Sequence, residues 1–271
     1  ARARGWATGL VTTTEITHAT PAGFSAHVDS RGDVFAIAEA QARTTQPDVL
    51  FGGGRAAYDT ANLWGELGDA GYQILTERSQ LAIAARPDVD RVIGLFANSH
   101  LAYVNDRPDD TTEPRLIDMA EAALTVLDRD PDGLFIMIEG GRIDHGGHAN
   151  NLTNNVLETL DFDDTIAAVN AWAQARGNTL VMVTADHECG GLDIVAPAPA
   201  GQWPQVRWRW GSHTNRRVPV FASGPGSGYL AGVVDHRAIY EAARAMIDGD
   251  APRDLPPITM PDGELADLRV S

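Results

Sequence analysis

Apolar and β-branched residues recur along this chain in two rhythms, which together predict strands interleaved with helices. Runs such as the one from Leu134 to Ile138 are too short for a buried helix and are typical of strands. Strands are predicted at residues 8–14, 48–51, 91–96, 134–138, 179–184 and 218–222. Apolar positions at three- and four-residue spacing predict helices at 33–43, 59–70, 115–127, 152–175 and 235–247.

This alternation of strands and helices predicts an α/β fold, with helices layered on a largely parallel sheet. Two of the strands, at 134–138 and 179–184, are rich in apolar residues and are therefore expected to be buried on both faces. Ligands of such sheets gather beyond the carboxyl ends of the strands. Polar residues that follow these two strands are therefore expected at one edge of the sheet.

The pattern predicts one domain over residues 1–271 with two irregular parts. Residues 195–210 contain Pro, Gly and three tryptophans without a clear period, and we interpret them as an inserted loop or small subdomain. Residues 249–271 are rich in proline and acidic side chains and are expected to form a surface tail. Residues 1–4 resemble the last turn of a helix that ends at Gly5, so we expect sequence upstream of this chain.

The charge of the chain limits its partners. The chain has 21 basic and 37 acidic residues and therefore a formal net charge of −16. Binding to the negatively charged backbone of a nucleic acid is not expected. The apolar runs are too short to cross a bilayer. The sequence contains no lysine, which leaves two interpretations open: a GC-rich genome, or adaptation to high salt. Loss of structure at low salt, in a salt titration of stability, would favour the second.

Carboxylates and imidazoles are concentrated in three short segments, two of which follow the apolar strands. Zinc binds imidazole nitrogen and carboxylate oxygen, and a catalytic zinc keeps one position open. We interpret the segment around Gly146 and Gly147 as a loop in which Asp144 and His148, four positions apart, can bind one ion. The candidates for metal binding are Glu139, Asp144, His148, Asp186, His187 and His213.

The single cysteine, Cys189, lies beside Asp186 and His187 and excludes an internal disulfide. It is either a further zinc ligand or a small buried residue, and we favour the second interpretation.

Taken in order, these segments resemble the motifs of the alkaline phosphatases. The run from Val11 to Pro21, with Arg31 ten residues further on, is similar to the Thr-x-Pro-then-Arg region of that family. The three later segments, which resemble its metal motifs in the family's order, are Glu139 to His148, Thr184 to His187, and His213-Thr214.

The resemblance implies a three-layer α/β/α sandwich that hydrolyses phosphate monoesters with two Zn²⁺ ions and one Mg²⁺ through a phosphoserine intermediate. It implies that Asp144, His148 and His213 hold the first zinc and that Asp186 and His187 hold the second. Thr20 and Glu139 would contribute to the magnesium site, and Arg31 would clamp the phosphate through its planar guanidinium. His18 and His145 would not bind metal themselves; they would tune the magnesium site and the substrate phosphate through contacts with the groups that do.

The chain departs from the family pattern in one respect. The nucleophilic serine and an aspartate that bridges two metals have no match here, because serines such as Ser25, Ser99 and Ser212 lack the motif. We therefore expect the fold to be incomplete at its N-terminus, with the missing residues on another segment. A protein that binds metal or phosphate without catalysis, and a related sulfatase or phosphodiesterase, stay open as alternatives.

By resemblance, the expected partners are phosphate monoesters, inorganic phosphate, an N-terminal fragment and a second copy in a homodimer. The expected location is periplasmic or secreted.

Overall fold

A computed structural model describes residues 1–253. Most of the predicted surface tail, from residue 254 on, lies outside the described residues. The chain forms two compact units. Unit 1 comprises Ala1–Arg142 and Val156–Thr165, and unit 2 comprises Ile143–Asn155 and the described residues from Ile166 onward.

Unit 1 is built on a five-stranded sheet in which all neighbouring strands are parallel. The strand order is β3-β4-β2-β1-β5. The strands are β1 (Ala7–Glu15), β2 (Val49–Gly53), β3 (Gln73–Leu75), β4 (Val92–Leu95) and β5 (Leu134–Glu139). The predicted parallel sheet is confirmed, and β3 is a short strand that the apolar pattern did not predict.

Alternate residues of the central strands point to opposite faces of this sheet, and each face has its own core. On one face Val11, Phe51 and Val92 are buried against Met119 and Ala123. On the other face the neighbouring strand residues, such as Leu10, Leu50 and Ile93, pack in a second cluster. A sheet covered on both faces is the three-layer α/β/α sandwich that the family resemblance implied, and it agrees with the layered α/β fold expected from the alternation of elements.

Two of the helices predicted in unit 1, at 33–43 and 115–127, are confirmed, and the apolar pattern did not predict the helix at Ala19–Ser25. Residues 59–70 are an exception: the helix breaks at Asn62, which has a φ of 50°, so the prediction of one continuous helix is wrong. The helices are α1 (Ala19–Ser25), α2 (Val34–Glu39), which continues as a π-helix over Ala40–Thr45, α3 (Arg55–Thr60), α4 (Trp64–Asp69) and α5 (Leu116–Leu127).

The strand β5 is half-buried along its whole length, whereas its apolar run predicted burial on both faces. Its position explains the difference, because β5 lies at the edge of the five-stranded sheet and pairs only with β1 there. A strand with a neighbour on one side is covered less completely than a central strand.

Unit 2 contains short antiparallel strand pairs instead of a large sheet. Strand β6 (Val181–Thr184) pairs with β11 (Val220–Ser223), β7 (Glu188–Cys189) with β10 (His213–Thr214), and β8 (Asp193–Ala196) with β9 (Gln205–Arg207). The other α-helices of the described chain are α6 (Arg142–His148), α7 (Leu152–Arg176) and α8 (Arg237–Asp248).

The pairing of β6 corrects a prediction. Residues 179–184 were expected to form a buried strand of the parallel sheet, but β6 belongs to a two-stranded antiparallel sheet, and its side chains are half-buried or exposed. The expectation that Glu139 and the Asp186-His187 pair follow strands of one sheet is therefore wrong.

The start of α7 is fixed by Asn151, whose side-chain oxygen accepts a hydrogen bond from the backbone N–H of Asn154 at 3.1 Å. We expect Asn151→Ala to lower the free energy of unfolding by about 1 kcal/mol, because that N–H loses its partner. Asn151→Ser, which keeps a capping oxygen, should have a much smaller effect. Urea unfolding of the two variants measures the difference, and equal losses would contradict the capping role.

Within the described residues, none of the helices has the length and apolar character that crossing a bilayer requires.

Candidate metal centre

Helix α6 carries two of the candidate ligands, Asp144 and His148, which lie one turn apart. The predicted loop around Gly146 and Gly147 is therefore wrong. The glycines serve close packing instead: a Cβ on Gly146 would lie 2.7 Å from the backbone nitrogen of Asn155, and one on Gly147 would lie 3.0 Å from the Cβ of Cys189. A four-residue spacing on a helix places both ligands on one face.

The third candidate, His213, is brought to α6 by the two-residue strand β10. Residue Gly211, two positions earlier, accepts a hydrogen bond from His148 through its backbone carbonyl, with Nδ1 and oxygen 2.8 Å apart. This bond places the proton of His148 on Nδ1 and leaves the lone pair on Nε2.

The side-chain atoms of these three residues converge on one point. The Nε2 atoms of His148 and His213 are 3.0 Å apart. Asp144 has Oδ2 at 3.3 Å from the Nε2 of His148 and Oδ1 at 3.5 Å from the Nε2 of His213. Two imidazole nitrogens and a carboxylate facing one another is the ligand set of a zinc site.

The hydrogen bonding of Asp144 also supports the binding of a cation at this point. Its Oδ1 atom is buried and has no hydrogen-bond partner within the described part of the chain. Buried carboxylate oxygens without a hydrogen bond are costly, so such an atom favours a positively charged group beside it. The donor set and this oxygen fit a divalent ion bound by Asp144, His148 and His213.

The second pair of candidates, Asp186 and His187, lies in the loop between β6 and β7. The Nε2 of His187 is 3.2 Å from Oδ2 of Asp186, and its ring stacks on that of His213 with centroids 3.4 Å apart. The Nδ1 atom of His187 is buried without a hydrogen bond in the described chain. This pair therefore offers one carboxylate and one imidazole next to the first set.

Burial lowers the pKa of His213, and the neighbouring His187 lowers it further, while the carboxylate of Asp144 opposes both effects. A histidine with a lowered pKa is neutral at pH 7 and keeps a lone pair available for a cation.

Four of the remaining candidates lie in unit 1: Glu139, Thr20, Arg31 and His18. Glu139 ends β5, and its Oε2 accepts hydrogen bonds from Thr12 Oγ1 at 2.6 Å and, more weakly, from Thr14 Oγ1 at 3.4 Å. Thr20 lies in the first turn of α1 and is half-buried. The structure thus surrounds the Glu139 carboxylate with hydroxyl groups of β1, which the sequence motif did not indicate.

Arg31 is exposed, and its Nη2 atom lies 3.0 Å from the Nε2 of His18. The ring of His18 meets that of His100 edge to face, with centroids 5.5 Å apart. His100 was not predicted as part of any site, because the sequence around it carries no metal or phosphate motif. His145 lies on α6 and is half-buried.

Cys189 does not match the favoured interpretation of a small buried residue. It is half-buried, and its Sγ lies within 4.8 Å of ligand atoms of Asp144, His148 and His213. Burial raises the pKa of its thiol, and the negative charge of the nearby Asp144 raises it further.

Comparison with known proteins relates these features to one family. The family model described as alkaline phosphatase matches residues 1–203. Alkaline phosphatase 3 of Bacillus subtilis is 39% identical over 203 residues, which cover 72% of this chain and 43% of that protein. The repressible alkaline phosphatase of Saccharomyces cerevisiae is 34% identical over 240 residues, covering 77% of this chain and 42% of the relative.

Solved structures of alkaline phosphatases are also similar to the structure of this chain. The alkaline phosphatase of the Antarctic bacterium TAB5 is 31% identical and superposes with a TM-score of 0.79, covering 92% of this chain and 73% of that one. A cold-active alkaline phosphatase from a psychrophilic Shewanella is 27% identical with a TM-score of 0.80, covering 91% and 76%. A variant of the TAB5 enzyme has been solved with Mg bound in its M3 site.

The chain spans less than half the length of the Bacillus and yeast relatives that it matches.

Proposed function

This chain belongs to the alkaline phosphatase family, and from that membership and its metal centre we propose that it carries the metal-binding and phosphate-binding residues of an enzyme that hydrolyses phosphate monoesters. The observation that carries the proposal is the convergence of His148 Nε2, His213 Nε2 and the Asp144 carboxylate within 3.5 Å of one another. Two imidazoles and a carboxylate are donors that zinc binds in proteins.

In this proposal Asp144, His148 and His213 hold one zinc ion, and Asp186 and His187 contribute to a second. Glu139 and Thr20 contribute to a magnesium site, which suits their oxygen ligands. Bound zinc supplies hydroxide at neutral pH, because it lowers the pKa of its water from 15.7 to about 7.

The protein groups have distinct tasks. The Gly211 carbonyl holds His148 in the tautomer whose Nε2 faces the ion. The guanidinium of Arg31 presents parallel N–H donors that match two phosphate oxygens and neutralises part of their charge. Its contact with His18 holds it in position when no phosphate is bound.

The nucleophile is the part of the reaction that these residues do not supply. None of the serines in the chain matches the family motif, and the chain covers 43% of its Bacillus relative. We propose that a phosphoserine intermediate forms on a serine of another segment.

Hydrolysis of p-nitrophenyl phosphate tests this function. The protein from its natural source, together with any polypeptide that accompanies it, should be active with zinc and lose its activity in a chelator. Arg31→Ala should lower kcat/KM without changing the zinc content, whereas Arg86→Ala, another exposed arginine of unit 1, should change neither. Full activity of Arg31→Ala would contradict the assignment of Arg31 to phosphate.

A second candidate function is a protein that binds zinc or phosphate without catalysis, for which the converging donors of Asp144, His148 and His213 are equally suited. Zinc binding by the purified natural protein, combined with no hydrolysis under any metal condition, would support this candidate and overturn the first.

Homodimer formation, the N-terminal fragment and a periplasmic or secreted location follow from the family alone and stay predictions. Intact mass and N-terminal sequencing of the natural protein test the second of these.

A further inference from the structure

A fourth donor, which the family motifs do not include, lies beside Asp144, His148 and His213. The Sγ of Cys189 belongs to the group whose ligand atoms all lie within 4.8 Å of one another, together with Asp144, His148 and His213. We propose that Cys189 is a fourth protein ligand of the cation held by these three residues, an inference that rests on the proposed metal site.

The first argument is the position of Cys189 in the fold. Strands β7 and β10 pair over only two residues each, and Cys189 lies directly opposite His213 in this ladder. Side chains of directly opposed residues project to the same side of an antiparallel pair, about 4.5–5.5 Å apart at Cβ. The pairing that positions the His213 ligand therefore positions the thiol beside it.

The second argument is the space that α6 leaves for the sulfur. Residue 147, between the two helical ligands, is glycine, and a Cβ there would lie 3.2 Å from the Sγ of Cys189 and 3.0 Å from its Cβ. Those distances are shorter than ordinary van der Waals contact, so any larger residue at this position would force the Cys189 side chain or the helix to shift. Gly147 thus allows the strand to approach the helix at the level of the ligands.

The third argument comes from the neighbouring atoms. The buried Oδ1 of Asp144 has no hydrogen-bond partner in the described chain, and the Nε2 atoms of both histidines face each other at 3.0 Å. These atoms point to a cation independently of the cysteine. The thiol therefore joins a set of donors that already converges, and it is not a lone cysteine on the surface.

The chemistry of the fourth donor predicts which ion the site selects. Sulfur binds metal as the thiolate, so the Cys189 proton passes to solvent as the bond between Sγ and the ion forms. Thiolate favours zinc and cobalt, whereas Mg²⁺ takes oxygen ligands. A fourth protein ligand would not by itself exclude a substrate oxygen, because some catalytic zinc sites expand to five ligands.

Cobalt substitution tests the proposal with a readout other than activity. The chain loaded with one equivalent of Co²⁺ should show visible d–d bands, which report the bound ion, and a near-ultraviolet band from sulfur-to-cobalt charge transfer. Cys189 is the only cysteine among the 271 residues, so the second band has a single possible source in the chain.

Cys189→Ser should abolish the charge-transfer band, keep the d–d bands and lower zinc affinity at least about tenfold. Its affinity for Mg²⁺ should be unchanged. The matched control is Ser212→Ala, next to His213: the Ser212 carbonyl accepts a hydrogen bond from the Gly190 backbone, and this bond survives the substitution. This control should keep both bands.

The outcomes separate this inference from the proposed function. Visible bands without the charge-transfer band in the unsubstituted chain would overturn the role of Cys189 and leave the three-residue site intact. Absence of both bands would overturn the metal site and the cysteine proposal together. Cobalt bands that persist unchanged in Cys189→Ser would also contradict the sulfur ligand.

Discussion

Replacing His148 by alanine is expected to lower the zinc affinity of this chain more than about 100-fold. Loss of a group that only orients a metal ligand typically costs 10–100-fold in affinity, and His148 is proposed as a ligand itself. Its Nε2 lies 3.0 Å from that of His213 and 3.3 Å from Asp144. The alanine variant would leave one imidazole, one carboxylate and the Cys189 thiol of the four proposed ligands. Calorimetric titration with zinc measures the change.

His236→Ala is the matched control for this experiment. His236 also belongs to unit 2, and its side chain is 91% exposed beside Asp235, so its removal should leave zinc affinity unchanged. Equal affinities for the two variants would contradict the placement of the zinc on α6. Thermal unfolding without metal checks that His148→Ala is folded, since His148 is itself substantially exposed and its loss opens no core cavity.

Phe51→Ala is expected to lower the free energy of unfolding by about 3–5 kcal/mol. Phe51 lies on the central strand β2 and is fully buried, and its ring packs on Phe96 with centroids 6.0 Å apart. Gly94 leaves room for this ring, because a Cβ there would lie 2.9 Å from Phe51 Cδ1. Truncation would create a cavity in the core that covers one face of the sheet. Urea unfolding, followed by circular dichroism, measures the loss.

The control for this variant is Phe35→Ala on helix α2, where the ring is 51% exposed. Substitutions at such exposed positions typically change stability by less than about 0.5 kcal/mol. Similar losses for the two variants would contradict the assignment of the core to the faces of the five-stranded sheet. An unchanged urea concentration at the midpoint of unfolding in Phe51→Ala would contradict this assignment as well.

The periodicity of the sequence was sufficient to predict the parallel sheet but not the order of its strands. Runs of apolar residues identify β1, β2, β4 and β5, because each is long enough to show a pattern. The three-residue strand β3 is too short to show one. The order β3-β4-β2-β1-β5 depends on contacts between residues far apart in the chain, which no local pattern encodes.

Motif spacing identifies the candidate ligands, but it does not predict the helix and the strand pair on which they lie. Two adjacent glycines disfavour a helix, so the sequence predicts a loop where the structure has the helix Arg142–His148. Tertiary contacts override this propensity: the glycines allow close approach of Asn155 and Cys189 to α6. Cys189 and His213 are neighbours only because β7 and β10 pair, and a two-residue pairing leaves no signal in the sequence.

Anomalous diffraction at the zinc absorption edge, from crystals of the chain grown with zinc, tests the metal centre most directly. The metal site predicts a peak about 2.0–2.2 Å from the Nε2 atoms of His148 and His213 and from a carboxylate oxygen of Asp144. Zinc bound elsewhere, with no peak between these three side chains, would contradict it.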